Sequence, residues 1–140
     1  MKPYLLKIDT EKIHGLRSST SKKKKMKTRR SKSTDIPMSV KQKVWERDGG
    51  RCIVCGNAYN VMPNAHILSR AKGGLGIETN IVTLCTNLTT NKCHYKFDNG
   101  TKREHELILR IITRYMKSIY GDTWNIENQK YKKWSDKNEN

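Results

Sequence analysis

The residues of this chain that can carry chemistry are concentrated in one stretch of 47 residues, from Cys52 to Asp98. The stretch contains all four cysteines, two of the four histidines, an asparagine and an aspartate: Cys52, Cys55, His66, Asn80, Cys85, Cys93, His94 and Asp98. Thiolates hold structural metal ions, whereas histidine, amide and carboxylate groups together support metal-assisted hydrolysis. The stretch therefore predicts two interleaved sites, one structural and one hydrolytic.

The cysteines have the pattern of a metal site. Cys52 and Cys55 form a Cys-x-x-Cys turn that directs two thiolates at one ion, and Cys85 with Cys93 can complete a tetrahedral set. Seven residues separate the second pair, so segment 86–92 must loop out. Two alternatives stay open: four unrelated thiols, and a redox pair, although no thioredoxin-like βαβ pattern surrounds the motif. The favoured interpretation is a structural Zn²⁺ that contributes directly to folding.

The other four residues suit the hydrolysis of a phosphodiester. That reaction needs an activated water and stabilisation of developing negative charge, which one histidine as general base and one hard cation can supply. We assign the base to His66 and expect the amide of Asn80 to orient its ring. His94 and Asp98 are spaced i,i+4, and they offer a nitrogen and an oxygen ligand to Mg²⁺ or Mn²⁺.

Each of these residues also has a purely structural interpretation. Asn80 could be a turn residue, Asp98 could belong to a turn before the next helix, and His94 could replace one cysteine at the zinc. The joint pattern, within a unit framed by cysteines, favours the functional interpretation. His14 and His105 are expected to be incidental.

The charge of the chain indicates its partner. The net charge is +16, from 29 Lys and Arg against 13 Asp and Glu, and a strongly basic chain is expected to bind a polyanion. Only 34% of the residues are hydrophobic, so the core should be small and should need a bound metal ion for stability. No apolar run is long enough for a membrane span, and the N-terminus lacks the core of a signal peptide. We therefore expect a cytoplasmic, reducing compartment, where paired cysteines favour metal over disulfides.

Residues 1–35 are predicted to form a disordered basic arm. They carry 12 Lys and Arg against three acids and have few side chains to bury. Phosphate contacts would relieve the repulsion within the arm and release counterions, giving affinity without sequence preference. A nuclear import signal is an alternative for such a run. The arm residues expected to contact nucleic acid are Lys22, Lys23, Lys24, Lys25, Arg29 and Arg30.

The elements that must position these residues can be predicted from caps and periodicity. A helix capped by Ser39 should run to about Arg47 and stop at the glycines that follow. Segments 64–69 and 80–84 indicate the strands of a hairpin around a glycine-rich loop, and a short helix should begin near Cys93.

A longer helix should follow, from a capping box at Thr101 and Glu104 to a stop at Gly121. Its apolar stripe is predicted to face the core rather than a partner and consists of Leu107, Ile108, Ile111, Ile112, Tyr115, Ile119 and Tyr120. The domain organisation predicted is an arm (1–35), a core (36–100), and a C-terminal helix with a basic aromatic tail (101–140). The tail residues Trp124, Ile126, Tyr131 and Trp134 are expected to pack back on the helix.

Taken together, the motifs resemble those of the HNH nucleases, which have the ββα-metal fold. The resemblance covers about residues 36–100 and runs through WERDGGRCIVCG (45–56), AHILSR (65–70), GGLGI (73–77), NIVTLC (80–85) and CH (93–94). It implies an α+β fold with a zinc knuckle made by the four cysteines. It also implies that His66 is the general base, Asn80 the asparagine of the motif, and His94 a metal ligand. Asp98 falls where some members place a further ligand.

The resemblance further implies a metal-dependent endonuclease that hydrolyses DNA. The tail segments YGDTWN (120–125) and YKKW (131–134) look like those of small HNH proteins in phages and prophages. Duplex DNA and phage packaging or recombination proteins are therefore the expected partners, with Arg70 and Lys72 against the DNA backbone. Many members place a metal ligand just before the base, where this chain has Ala65. That departure keeps open a zinc-stabilised DNA-binding or packaging accessory with weak or no cleavage. A ribosome-associated RNA-binding module is a third alternative.

Overall fold

The computed structural model describes residues 26–133 of the chain. They form a small mixed α/β unit, in agreement with the predicted α+β class. Its elements are α1 (Arg29–Thr34), α2 (Met38–Asp48), β1 (Val61–His66), β2 (Ile81–Cys85), α3 (Cys93–Asn99) and α4 (Lys102–Tyr120), with 3-10 turns at Arg70–Lys72, Glu78–Asn80 and Ile126–Gln129. Within residues 26–133, no helix is both long and apolar enough to cross a bilayer.

The sheet is an antiparallel hairpin of β1 and β2, as predicted, but both strands are displaced from the predicted segments. Val61 pairs with Cys85 and His66 with Ile81, with an irregularity in the register between Met62 and Ala65. Pro63 lies at that irregularity, where the lack of an N–H donor is tolerated. All five residues of β2 are buried, so this strand runs through the centre of the core.

The predicted helices are all present. Helix α2 begins two residues earlier than predicted, because Pro37 in an extended conformation is its N-cap instead of Ser39. It ends at Gly49, whose φ of +67° is in the left-handed region that glycine adopts without strain. The capping box at Thr101 and Glu104 starts α4, confirming the prediction.

The apolar stripe of α4 is narrower than predicted. Ile108, Ile112 and Met116 are buried, one turn apart, whereas Leu107 is 47% exposed and Ile111 42% exposed. Ile119 is also 41% exposed. The unit packs on one side of α4 only, so residues on the flanks of the stripe stay in contact with solvent. The assignment of the whole stripe to the core was therefore wrong at these exposed positions.

The tail packs mainly on the segment before β2 rather than on α4 alone. Trp124 is buried and donates from Nε1 to the carbonyl of Thr79 at 2.9 Å. The backbone of Tyr131 donates to Gly73 at 2.7 Å, and Gly74 forms an isolated bridge with Lys130. Trp134 lies outside the described residues.

The predicted disordered arm does not extend to residue 35. Residues 29–34 form α1, in which Thr28 accepts a hydrogen bond from the backbone of Ser31 as the N-cap. Thr34 is 3% exposed, so the end of α1 is part of the packed unit. Arg30 donates to the carbonyl of Ala71 at 2.9 Å, a long-range contact that composition does not reveal. Lys22, Lys23, Lys24 and Lys25 lie outside the described residues.

An ion pair at the end of α2 ties the helices to the sheet. Asp48 is buried, accepts from Arg47 Nε at 2.7 Å, and accepts from the backbone of Thr83 in β2 at 2.8 Å. The hydroxyl of Tyr115 in α4 donates to the same carboxylate at 2.6 Å. The nearby carboxylate of Asp48 raises the pKa of Arg47, so the guanidinium stays charged.

We expect Asp48→Ala to lower the free energy of unfolding by about 3–5 kcal/mol, because it leaves the buried charge of Arg47 without its partner. Denaturant unfolding followed by circular dichroism measures this change. Glu46→Ala, an exposed acid on the same helix, is the matched control and should change stability by less than about 0.5 kcal/mol. Equal stabilities of the two variants would contradict the importance of this ion pair.

Candidate functional site

The four cysteine side chains converge on one point. Their sulfur atoms all lie within 4.8 Å of one another, and Cys55 Sγ lies 3.8 Å from Cys85 Sγ. A tetrahedral site with Zn–S bonds of about 2.3 Å requires sulfur atoms about 3.8 Å apart. The loop of seven residues between Cys85 and Cys93 therefore does not prevent the second pair from joining the first. Among residues 26–133, these four are the only group of three or more metal-binding side chains whose ligand atoms meet.

The backbone around Cys52 has the form of a knuckle. Cys52 accepts from the backbone of Gly56 at 2.8 Å and donates to Asn57 at 2.9 Å, while Ile53 donates to Thr83 in β2 at 3.1 Å. Gly56 has a φ of +78°, which closes the turn after the Cys-x-x-Cys pair. The knuckle is thereby fixed to the central strand, and the start of α3 brings Cys93 to it.

The electrostatics of the cluster favour a bound cation. A hydrogen bond from the Cys93 thiol lowers the pKa of Cys52, and the backbone amides of Cys55 and Val54 add to that effect. The same contact with Cys52 raises the pKa of Cys93, as does burial. Four neighbouring thiolates can therefore coexist only if a cation compensates their charge. The cysteine cluster fits a structural zinc or another thiophilic metal ion.

His66 lies at the end of β1, half-buried, and its ring orientation is set by α1. Its Nε2 atom lies 2.8 Å from the carbonyl oxygen of Thr34. A carbonyl can only accept, so Nε2 carries the hydrogen and Nδ1 keeps its lone pair in the neutral ring. Nδ1 has no hydrogen-bond partner within residues 26–133 and can accept a proton.

Burial lowers the pKa of His66 below its ordinary value, and the charge of Arg70 acts in the same direction. The hydrogen bond to Thr34 and the carboxylate of Asp98 oppose this shift, whereas His94 reinforces it. The imidazole is therefore neutral at pH 7, the form that a general base requires. The charges of Asp98 and His94 therefore act on His66, although weakly compared with burial.

Among the described residues, the amide of Asn80 makes its hydrogen bonds elsewhere than to the ring of His66, which corrects its predicted role. Its side chain is fully buried, accepts from the backbone of Leu68 at 2.9 Å, and donates to the carbonyls of Leu68 at 3.1 Å and Leu75 at 2.8 Å. These bonds close the loop that follows His66, and the backbone of Ile67 also donates to Asn80 at 2.8 Å. Asn80 therefore positions the loop beside the imidazole rather than the imidazole itself.

His94 and Asp98 lie on the same side of α3, as their spacing predicted. His94 Nε2 and Asp98 Oδ2 are 3.0 Å apart, and both side chains are partly exposed. Two adjacent ligands of an octahedral cation, each about 2.1 Å from it, are separated by about 3.0 Å. The distance is also that of a hydrogen bond from Nε2–H of His94 to the carboxylate of Asp98. With Nε2 deprotonated, the same two side chains offer a nitrogen and an oxygen ligand to one divalent cation such as Mn²⁺ or Mg²⁺.

The residue before the predicted base cannot supply a third ligand. Ala65 is fully buried in the core, facing away from the side of β1 that His66 shares with Asn64. The Oδ1 atom of Asn64 is buried without a hydrogen-bond partner among the described residues. Ala65 therefore supplies no ligand to a cation at His94 and Asp98.

The predicted phosphate-binding residues within the described range are exposed, but two of them already bind other groups of the protein. Lys72 and Arg29 face solvent. Arg70 lies beside the site and forms an ion pair with Asp35 at 2.6 Å. Arg30 is bonded to the loop backbone through Ala71.

Sequence reasoning missed the residues that connect α1 to the site. Segment 33–35, which we call the strap, lies against His66 and the loop after it. Asp35 is the only acid between Glu11 and Glu46, and this isolated charge within a basic run was the available signal. Thr34 contacts His66 through its backbone carbonyl, which every residue type has, so the sequence could not indicate this contact.

Comparisons of this chain with family models, curated proteins and solved structures found no match.

Proposed function

We propose that this protein is a metal-dependent endonuclease of the HNH type that hydrolyses phosphodiester bonds of duplex DNA. The observation that carries the proposal is His66: a neutral imidazole with one nitrogen fixed by a carbonyl and the other available as a base. The pair of His94 and Asp98, which offers a nitrogen and an oxygen ligand from one side of α3, supports the same conclusion. The resemblance of segments 45–56, 65–70 and 80–94 to the HNH motif supplies the family, and the hairpin followed by α3 has the ββα order.

The chemistry assigns a separate task to each group. Nδ1 of His66 accepts a proton from the attacking water as the oxygen forms its bond to phosphorus. The imidazolium that results is stabilised by the Thr34 carbonyl and by the carboxylate of Asp98. His94 and Asp98 would hold a divalent cation, which supplies charge stabilisation to the phosphoryl oxygens and the leaving oxygen when bound. Asn80 keeps the loop after the base closed.

The zinc knuckle has a structural role in this proposal. It joins the turn after α2, the end of β2 and the start of α3, and these are the elements that carry or flank the hydrolytic residues. Four thiolate ligands would leave no open position for substrate on a bound zinc, as expected for a structural site.

Charge supports DNA as the substrate. The chain carries 29 Lys and Arg, and the basic residues 22–30 lead directly into α1 and the strap beside His66. The exposed Lys72 lies on the loop after the base. Neutralisation of phosphates by these residues releases counterions and gives affinity that falls as salt rises.

The test is relaxation of supercoiled plasmid with Mg²⁺ or Mn²⁺ by the wild type, by His94→Ala and by Tyr95→Ala. We expect His94→Ala to reduce cleavage by about a hundredfold or more, because the cation loses one of its two protein ligands. Tyr95 is exposed on the same helix, so Tyr95→Ala is the matched control and should cleave as the wild type does. Metal-independent relaxation that is equal in all three proteins would exclude this site as a nuclease centre.

A second candidate function is a zinc-stabilised DNA-binding or packaging accessory with weak or no cleavage. Buried Ala65, which removes a ligand position used by many HNH proteins, favours it. Salt-dependent binding of duplex DNA without any metal-dependent cutting, in a protein that retains its zinc, would support this alternative over the first.

A further inference from the structure

The strap is held against the site by contacts of three kinds. The carbonyl of Ser33 accepts from the backbone of Gly76 at 2.9 Å, and a Cβ atom added to Gly76 would overlap the carbonyl oxygen of Asp35. The carbonyl of Thr34 accepts from His66. The carboxylate of Asp35 binds the side chain of Arg70. Each residue of the strap therefore contacts either the imidazole of His66 or the loop that follows it.

The carboxylate of Asp35 binds two basic side chains that belong to different segments of the chain. Its Oδ1 atom accepts from Arg70 Nη2 at 2.6 Å, and its Oδ2 atom accepts from Lys27 Nζ at 2.6 Å. The hydrogen bond from Lys27, reinforced by Arg70, lowers the pKa of Asp35, so the carboxylate is ionised at neutral pH. The side chain is 31% exposed, which leaves these ion pairs in contact with solvent.

Stability does not account for this arrangement. Ion pairs between exposed side chains contribute little to the free energy of folding. A displacement of about 1 Å at a catalytic group can nevertheless cost about a hundredfold in rate. The ion pairs of Asp35 can therefore contribute little to the stability of the fold and still affect the alignment of a catalytic base, and with it the rate.

We propose that Asp35 is a positioning residue for His66: by binding Arg70 and Lys27, it holds the strap so that the Thr34 carbonyl fixes the imidazole. The inference rests on the proposed role of His66 as the base. It has a second consequence, because Asp35 occupies the guanidinium of Arg70, which would otherwise be free for a DNA phosphate. Asp35 therefore aids the chemical step while weakening substrate binding.

The kinetic test is Asp35→Ala in plasmid or oligonucleotide cleavage. We expect kcat to fall by about 10- to 100-fold as the imidazole loses its alignment. KM and the Kd for DNA should fall at the same time, since Arg70 and Lys27 become available to phosphates. Asp35→Glu should restore part of kcat. Asp122→Ala, which removes an exposed acid in the turn after α4, is the control and should leave kcat unchanged.

The structural test is NMR of the full chain without DNA or added divalent cation. In the wild type, the Nε2–H proton of His66 should be observed as a hydrogen-bonded, slowly exchanging signal. Asp35→Ala should weaken or abolish the signal, and Gly76→Ala, which displaces the strap by steric overlap, should do the same. Bound zinc and the far-UV spectrum report whether each variant is folded.

A folded Asp35→Ala protein with an unchanged Nε2–H signal would overturn the inference, as would an unchanged kcat in a protein that cleaves. A wild type that does not cleave would instead overturn the proposed function. The NMR comparison would still decide in that case whether Asp35 positions the imidazole.

Discussion

Cys52→Ser is expected to abolish tight zinc binding and to unfold most of the chain at 25 °C. Structural zinc supplies about 10–16 kcal/mol of apparent binding free energy in small zinc domains, more than the whole stability of a typical domain. The core here is small and the cluster lies at the junction of α2, β2 and α3, so few other contacts can hold these elements together. Bound zinc measured by mass spectrometry, together with circular dichroism, checks the expectation.

The control for this prediction lies in the loop between the second pair of cysteines. Leu88 is 81% exposed there, so Leu88→Ser introduces a serine near the cluster without removing a thiol. It should keep its zinc and its fold. A Cys52→Ser protein that is folded and cooperative without metal would show that the cluster is not a structural centre.

His66→Gln is expected to lower metal-dependent cleavage by about 10²–10⁴-fold, the usual contribution of a general base. Glutamine retains an N–H donor that can reach the Thr34 carbonyl, so the fold and the strap should be little affected. It cannot accept a proton near neutral pH. The loss should therefore appear in kcat rather than in the affinity for DNA, as steady-state kinetics on a short duplex would measure.

The pH profile gives a second readout of the same residue. Burial places the pKa of His66 below its ordinary value of 6.5, so the ring is deprotonated above that pH. The cleavage rate of the wild type should rise with pH through the lowered pKa of His66 and then become constant. His66→Gln should lack this acidic limb. A wild-type rate that rises only above pH 8 would show that another group is the base.

The proposed site is assembled from distant parts of the chain around the pair of strands β1 and β2. Thr34 is 32 positions away from His66, and the segment between them contains α2 and two of the four clustered cysteines, Cys52 and Cys55. The basic segment that precedes α1 thus leads directly to the proposed base. In the proposed nuclease, binding of DNA by that segment and alignment of the imidazole would involve the same few contacts of Asp35.

The local elements could be predicted from the sequence. The capping box at Thr101 and the glycine stop after α2 depend on residues within a few positions of one another. The two strands could be predicted from their own local composition, but their bounds were displaced because the pairing joins residues 15 or more positions apart. The four cysteines could also be grouped, because metal chemistry restricts which residues can share an ion. The long separation of Cys85 and Cys93 in the sequence does not prevent this grouping, because β2 and α3 bring the two residues together.

What only the tertiary structure decided are the long-range polar contacts. Asn80 binds Leu68 and Leu75 rather than His66, and the ring is instead held by a backbone carbonyl of α1. A hydrogen bond to a carbonyl is independent of the side chain that the residue carries, so the identity of Thr34 contained no hint of it.

Packing likewise decided which side of α4 is covered. Helical periodicity places Leu107, Ile108 and Ile111 within one broad stripe, but only Ile108 of these is buried. Periodicity gives the direction of each side chain around the helix axis. It does not give the number of elements that pack against that helix, which depends on the path of the whole chain.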